Sequence, residues 1–347
     1  MQNYKNSLHS PNALIKRNLI KLTSLNILNL KYRFKIMLFI LIPASLIFST
    51  CNKDDENGGM TEIESITSRL VKDINPDSLE SAVDWLQGMG TRFALANNHR
   101  DIAVKIRNRF ERLGFDNCSI DSFMIVRMYK GVNYEQWQYN VIASITGSEF
   151  PDSVCIIGGH YDSILTTGDP FISAPGANDN ASGVASVIEL ARIMKKNNYS
   201  PANTIEFIAF GAEELGLYGS HNYAKDALLS SKKIKFMLNN DMIAYQPASN
   251  PKEWSVNIMD YNNSHNLRKE AEILIQKYCK LNFYNDNTYN TQSDSYPFFI
   301  NGYKALFFYS GVNDPFYHSL EDTAEKYNFD YSSEIVKLCC AMMVYNN

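Results

Sequence analysis

The first fifty residues of this 347-residue chain contain no acidic side chain, although the whole chain carries 37 Asp and Glu. No apolar run reaches the length of about 18 residues that a membrane-spanning helix needs. Cysteine is sparse. The six, at positions 51, 118, 155, 279, 339 and 340, show no paired C-x-x-C spacing, which excludes a zinc ribbon and supplies no disulfide framework. Cys155 lies in an apolar segment and reads as a small hydrophobe. Internal repeats and low-complexity tracts are also absent, which excludes solenoid, collagen-like and coiled-coil architectures. What is present is ordinary for a globular protein: 45% hydrophobic and 20% charged residues, over a length that suits one large domain or two small ones.

The leader holds seven basic residues, Lys5, Lys16, Arg17, Lys21, Lys31, Arg33 and Lys35. Without them the formal net charge moves from −4 to −11, which argues against nucleic acid as a partner. "KYRFK" is followed by "IMLFILIPASLIF", an apolar run of thirteen residues that suits a signal-peptide core. The run ends at Cys51, before the polar "NKDDENGG". This pattern resembles a bacterial lipoprotein signal, although Phe48 and Thr50 depart from its usual residues. The expectation is a signal peptide over 1–50 and a flexible tether over 51–77. A catalytic domain over 78–347 would then be held outside the cytoplasm, on the membrane, through lipidated Cys51.

From residue 78 onward the pattern predicts helices at "SLESAVDWLQGMG" and "HRDIAVKIRNRFERLGF", the latter stopped by Gly114. Two strands follow, "SIDSFMIVRMYK" and "WQYNVIASITG", as an antiparallel pair. Strands and helices then alternate: "SVCIIGG", "ASGVASVIELARIMKK", "TIEFIAF", "SHNYAKDALL", "IKFMLNND", "SHNLRKEAEILIQKYCK", "KALFFYS" and "YSSEIVKLCCAMMVYN". Strands apolar on both faces and alternating with helices predict one α/β domain, its mainly parallel sheet covered on both sides.

In open α/β sheets, functional groups gather beyond the carboxyl ends of the strands. Reading off those positions gives His160, Asp179, the adjacent Glu213 and Glu214, Asp241 and His318. Singly, each histidine is better explained as a core or surface residue, and Asp179 as a helix cap. Asp241 is harder to dismiss, because a carboxylate at the end of an apolar strand must be paired, protonated or bound to metal. Together they suit a pair of divalent ions with mixed nitrogen and oxygen ligands, zinc above all, with Asp179 as the shared ligand. His99, His221 and His265 lack such company. Tyr245, Phe298, Phe299, Tyr309 and Tyr317 could line a substrate pocket or simply pack in the core.

Five blocks, "GGHYDSI", "PGANDNASGVA", "FGAEELGLYGS", "NNDMIAY" and "YHSLEDT", resemble in order and spacing those of the secreted co-catalytic di-zinc aminopeptidases. The resemblance implies a single α/β domain with a mixed, mainly parallel, eight-stranded sheet. It implies two zinc ions per chain, one held by His160 and Asp241, the other by Glu214 and His318, with Asp179 between them. Glu213 would be the general base and Asp162 would orient His160. The substrates would be peptides with a free N-terminus. "SDSYPF" departs from the family pattern, with Ser295 where a histidine is usual, and Tyr289 does not align cleanly with a tyrosine that some members use in catalysis. A glutaminyl cyclase, using one zinc on the same fold, is the runner-up. A carboxypeptidase and a non-catalytic surface binding protein are the further alternatives.

Overall fold

The computed structural model describes residues 60–347. The leader and Cys51 lie outside the described residues. The eight strands are β1 (Cys118–Tyr129), β2 (Val132–Ile145), β3 (Phe150–His160), β4 (Asn203–Phe210), β5 (Lys233–Asn240), β6 (Ser255–Met259), β7 (Asn282–Tyr284) and β8 (Ala305–Tyr309). They form one sheet in the order β1-β2-β4-β3-β5-β8-β6-β7. The central strands β4, β3, β5 and β8 run parallel. β2 joins them antiparallel, as does β6 on the other side. The sheet is therefore mixed, with its parallel block in the middle, where both faces are covered.

Alternation along the strands sorts side chains between two cores. Cys155 and Ile157 of β3 face one apolar cluster, whereas Val154 and Ile156 face the other. The larger cluster is covered by α2 (Pro76–Gln87), α3 (His99–Arg112), α4 (Ser182–Lys196), α6 (His265–Tyr278) and α8 (Phe329–Tyr345). The smaller lies under α5 (Tyr218–Leu229) and α7 (Ser295–Ile300). All eight residues of β4 are buried, Glu206 among them, its carboxylate paired with Lys232 at 2.6 Å. Gly114, just past α3, adopts a φ of +88°, the left-handed geometry that ends helices.

Two expectations need correcting. The second half of the expected tether is not a tether. Residues Glu62–Lys72 form α1, whose Leu70 and Val71 are buried as it packs against α8. Thr61 and Glu64 close a capping box at its start, a signal present in "TEIE". β6, β7 and α7 were also not expected; they are three to six residues long, too short for periodicity to show. Among the described residues no helix is long and apolar enough to cross a membrane.

Candidate metal centre

The candidate residues arrive on five separate segments and meet at the carboxyl end of the parallel block. His160 is the last residue of β3 and Asp179 lies in the turn before α4. Glu213 and Glu214 follow β4, Asp241 follows β5, and His318 lies beyond β8. His160 Nε2 is 3.2 Å from Asp179 Oδ1 and 3.5 Å from Asp241 Oδ1. His318 Nε2 is 2.9 Å from Asp179 Oδ2 and 3.0 Å from Glu214 Oε2. Two ligand triads, His160–Asp179–Asp241 and Asp179–Glu214–His318, thus share Asp179, which offers one oxygen to each. Glu213 belongs to neither; it groups instead with His160 and Glu214, its Oε2 3.7 Å from His160 Nε2.

These residues fit a metal. Ligands about 2.0–2.1 Å from a tetrahedral ion lie about 3.3 Å from one another, close to the spacings here. Glu214 Oε1 and Asp241 Oδ1 are buried without any hydrogen-bond partner, and buried polar atoms are left so only where something else satisfies them. Three residues at or beside the centre, Ala212, Met242 and His318, have φ between +52° and +57°. Each such left-handed, non-glycine residue costs on the order of 1–2 kcal/mol, and the surrounding contacts must hold it there.

The electrostatics agree. Burial opposes protonation of His160, yet Glu213, Asp241, Asp162 and Asp179 outweigh it and hold the imidazole well above its ordinary value. Burial likewise opposes protonation of His318, but Asp179 and Glu214 push it up to about 10. Burial and then the neighbouring Asp179 raise Glu214 to about 8. Burial, with Glu214, Asp294 and Asp241 nearby, lifts Glu213 well above the usual carboxylate range. Asp179 goes the other way: burial would raise it, but His160 and His318 hold it low. Such a concentration of mutually perturbed groups marks a functional site, and cations bound among them would relieve the repulsion.

Around this centre a layer of hydrogen bonds sets the ligands' positions. His160 Nδ1 faces the main-chain carbonyl of Asp162 at 3.1 Å, leaving Nε2 bare for a metal. The carboxylate of Asp162 does something else. It accepts the backbone N–H of Glu213 at 3.0 Å and of Glu214 at 3.2 Å, so Asp162 fixes both glutamates as well as the imidazole. Asp322 accepts the N–H groups of Asn178 at 2.7 Å and Asp179 at 3.2 Å and thereby pins the shared ligand. Ser293 donates to Asp241 Oδ2 at 2.6 Å.

Arg92, fully buried, donates to the carbonyls of Tyr161, Pro175 and Gly176, tying the segment after His160 to the loop before Asp179. Sequence reasoning assigned no role to Asp322, Ser293 or Arg92. The first two lie in or beside blocks already singled out, but Arg92, between two helices, gives no local signal. Ser295 is turned away from the centre, its hydroxyl 2.8 Å from that of Tyr261. Its neighbour Asp294 is buried with both oxygens unpartnered, and that burial pushes its carboxyl up to about 7.

A cleft of about 470 Å³ opens over the centre, walled by Met242, Tyr289, Gln292, Phe307, Tyr309 and Tyr317. Tyr309, Tyr317 and the poorly aligned Tyr289 thus reach it. Phe298 is in the core, Phe299 stacks on Tyr261, and Tyr245 packs against Phe316 and Tyr327. Of the other histidines, His99 turns its two ring nitrogens to the Ala96 and Trp137 carbonyls and His265 pairs with Asp260.

Residues 140–343 match the description "Peptidase family M28". A probable leucine aminopeptidase of Arthroderma otae is 30% identical over 291 residues, covering 80% of this chain and 74% of that protein. A probable zinc metalloprotease of Pyricularia oryzae is 35% identical over 188 residues, 51% of this chain but only 37% of that protein. Among solved structures, LapB from Legionella pneumophila superposes with a TM-score of 0.69 at 22% identity, over 82% of this chain and 75% of that one. The Fimbriiglobus ruber glutaminyl cyclase does so with a TM-score of 0.63 at 17% identity, over 78% of this chain and 95% of that one.

Proposed function

Because the chain belongs to peptidase family M28, we propose that it is a zinc-dependent exopeptidase that removes residues from the free N-terminus of peptides. The observation that carries this reading is the pair of ligand triads sharing Asp179, with Glu213 outside both. His160 and Asp241 would hold one zinc, Glu214 and His318 the second, and Asp179 both. Bound there, zinc would acidify a water and stabilise negative charge on the carbonyl oxygen under attack.

Glu213 is the residue left free to move a proton. Asp162 clamps its backbone, which holds the side chain over the centre. In this reading its carboxylate accepts the proton of the attacking water and returns it to the leaving amine. Met242, Phe307, Tyr309 and Tyr289 would take the substrate's first side chain in the cleft. We further propose that the protein acts outside the cytoplasm, anchored through lipidated Cys51, a reading supported by the leader alone.

The test is hydrolysis of a panel of free and N-blocked aminoacyl chromogenic substrates, with and without chelator, alongside a zinc count. Cleavage of the free substrates only, abolished by chelator and restored with two zincs per chain, is the expected result. The glutaminyl-cyclase fold likeness makes a second reading concrete. One firmly bound zinc, with pyroglutamate formed from N-terminal Gln, would establish that reading instead.

A further inference from the structure

β1 and β2 do more than fill the edge of the sheet. β2 pairs with β4 only through Val141–Ile145, whereas β1 and β2 pair with each other over all twelve residues of β1. Residues 132–140 and the facing residues 121–129 of β1 therefore run past the carboxyl end of β4 as a projecting arm. One face of the arm is buried through Phe123 and Ile125. The other leaves Met124 42%, Val126 68%, Met128 66% and, opposite Met124, Trp137 52% exposed. A row of four large apolar side chains on one surface marks a place where something docks.

The outer edge of β1 is open as well: among the described residues it pairs with β2 alone. Open edges are usually guarded by proline, lysine or a bulge. "CSIDSFMIVRMY" has neither residue, and its register with β2 has no break. Two charges on the strand are incompletely used. Asp121 accepts from Asn140 and Asn222 through Oδ2 alone. Arg127 has neither a hydrogen bond nor an ion pair among the described residues. Both project from the face that carries Phe123 and Ile125, because side chains alternate along a strand.

We propose that the β1 edges of two copies of this chain pair antiparallel about a twofold axis at Met124. Antiparallel self-pairing about that residue sets Asp121 opposite the partner's Arg127, twice over by symmetry. It sets Phe123 opposite the partner's Ile125, and Val126 opposite the partner's Ser122. Met124 meets the partner's Met124, and Met128 lies beside the partner's Ile120. The two exposed rows come to lie side by side on one face of the joined sheet, and the open edge gains a full ladder. A charge pair six residues apart on one strand face matches what a self-complementary antiparallel edge requires.

The test uses the purified full chain. Sedimentation and light scattering should give a dimer whose dissociation constant rises at least ~10-fold in Arg127→Asp, since two symmetric pairs are lost. The effect should be reversed in part by adding Asp121→Arg. Met124→Cys is the independent arm. Directly opposed residues in an antiparallel pair lie about 4.5–5.5 Å apart at Cα, within disulfide reach. Mild oxidation should therefore cross-link that variant and leave Ser119→Cys uncross-linked. A chain that stays monomeric at high micromolar concentration, with Met124→Cys no more reactive than Ser119→Cys, overturns the proposal. So does a dimer indifferent to Arg127→Asp in which Met124→Cys does not cross-link. A monomer that floats with anionic vesicles through the arm would assign the surface to lipid instead.

Discussion

Glu213 and Glu214 are neighbours in sequence yet face different partners. Glu214 Oε2 lies against His318, while Glu213 joins no shared-Asp179 triad and points toward His160. Adjacent side chains leave the backbone in different directions, and the Asp162 carboxylate holds both amides at once. The two should therefore respond differently to the same substitution. Glu213→Gln is expected to lower kcat by roughly 10²–10⁴-fold with the zinc content unchanged. With two zincs bound as proposed, Glu214→Gln should lose one of them. Elemental analysis alongside turnover separates them. If Glu213→Gln loses metal while Glu214→Gln keeps it, the two roles are exchanged.

At the scale of elements, the site depends on how closely α4 approaches β5. Gly183, in the first turn of α4, allows that approach: a Cβ there would lie 2.1 Å from the Asn240 carbonyl and 2.4 Å from Asn180 Oδ1. Asn180 Oδ1 accepts the Gly183 N–H at 2.8 Å, and its amide donates to the Asn240 carbonyl at 2.9 Å. Gly183→Ala would press on the residue just before Asp241 and just after Asp179. Overpacking of this kind costs about 1–3 kcal/mol, so denaturant unfolding of the metal-free protein should show a loss of that size. Metal affinity should fall with it. Unfolding indistinguishable from the unsubstituted protein would show that the contact yields easily.

The whole molecule couples metal to protons. Without metal, His318 is held up to about 10 and Glu214 up to about 8, both above neutral pH, so both carry protons there. Ligands bind metal only when deprotonated. Metal loading near pH 7 must therefore release protons, and apparent affinity should rise with pH through the range below those values and fall on acidification. Chelator competition at pH 6 and pH 8, with calorimetry in buffers of different ionisation enthalpy, measures both. Affinity independent of pH, with no proton release, would contradict it. Metal removal should also lower the unfolding temperature, because ions that bind only the folded chain stabilise it by mass action.

The sequence by itself determined the order of the main strands and helices and the six residues that meet at the centre. Apolar periodicity and strand-end position are local properties, and a parallel sheet brings its carboxyl ends to one rim regardless of detail. Short elements such as β7 and α7 left no periodic trace, and α1 was missed although its capping box stands in "TEIE". Only the tertiary structure decided which oxygen faces which imidazole and that the Asp162 carboxylate clamps two glutamates. It alone joined Arg92 to the loop before Asp179 across 83 positions of sequence. These are relations between segments distant along the chain. They depend on backbone paths that packing selects, and no local pattern of residues encodes them.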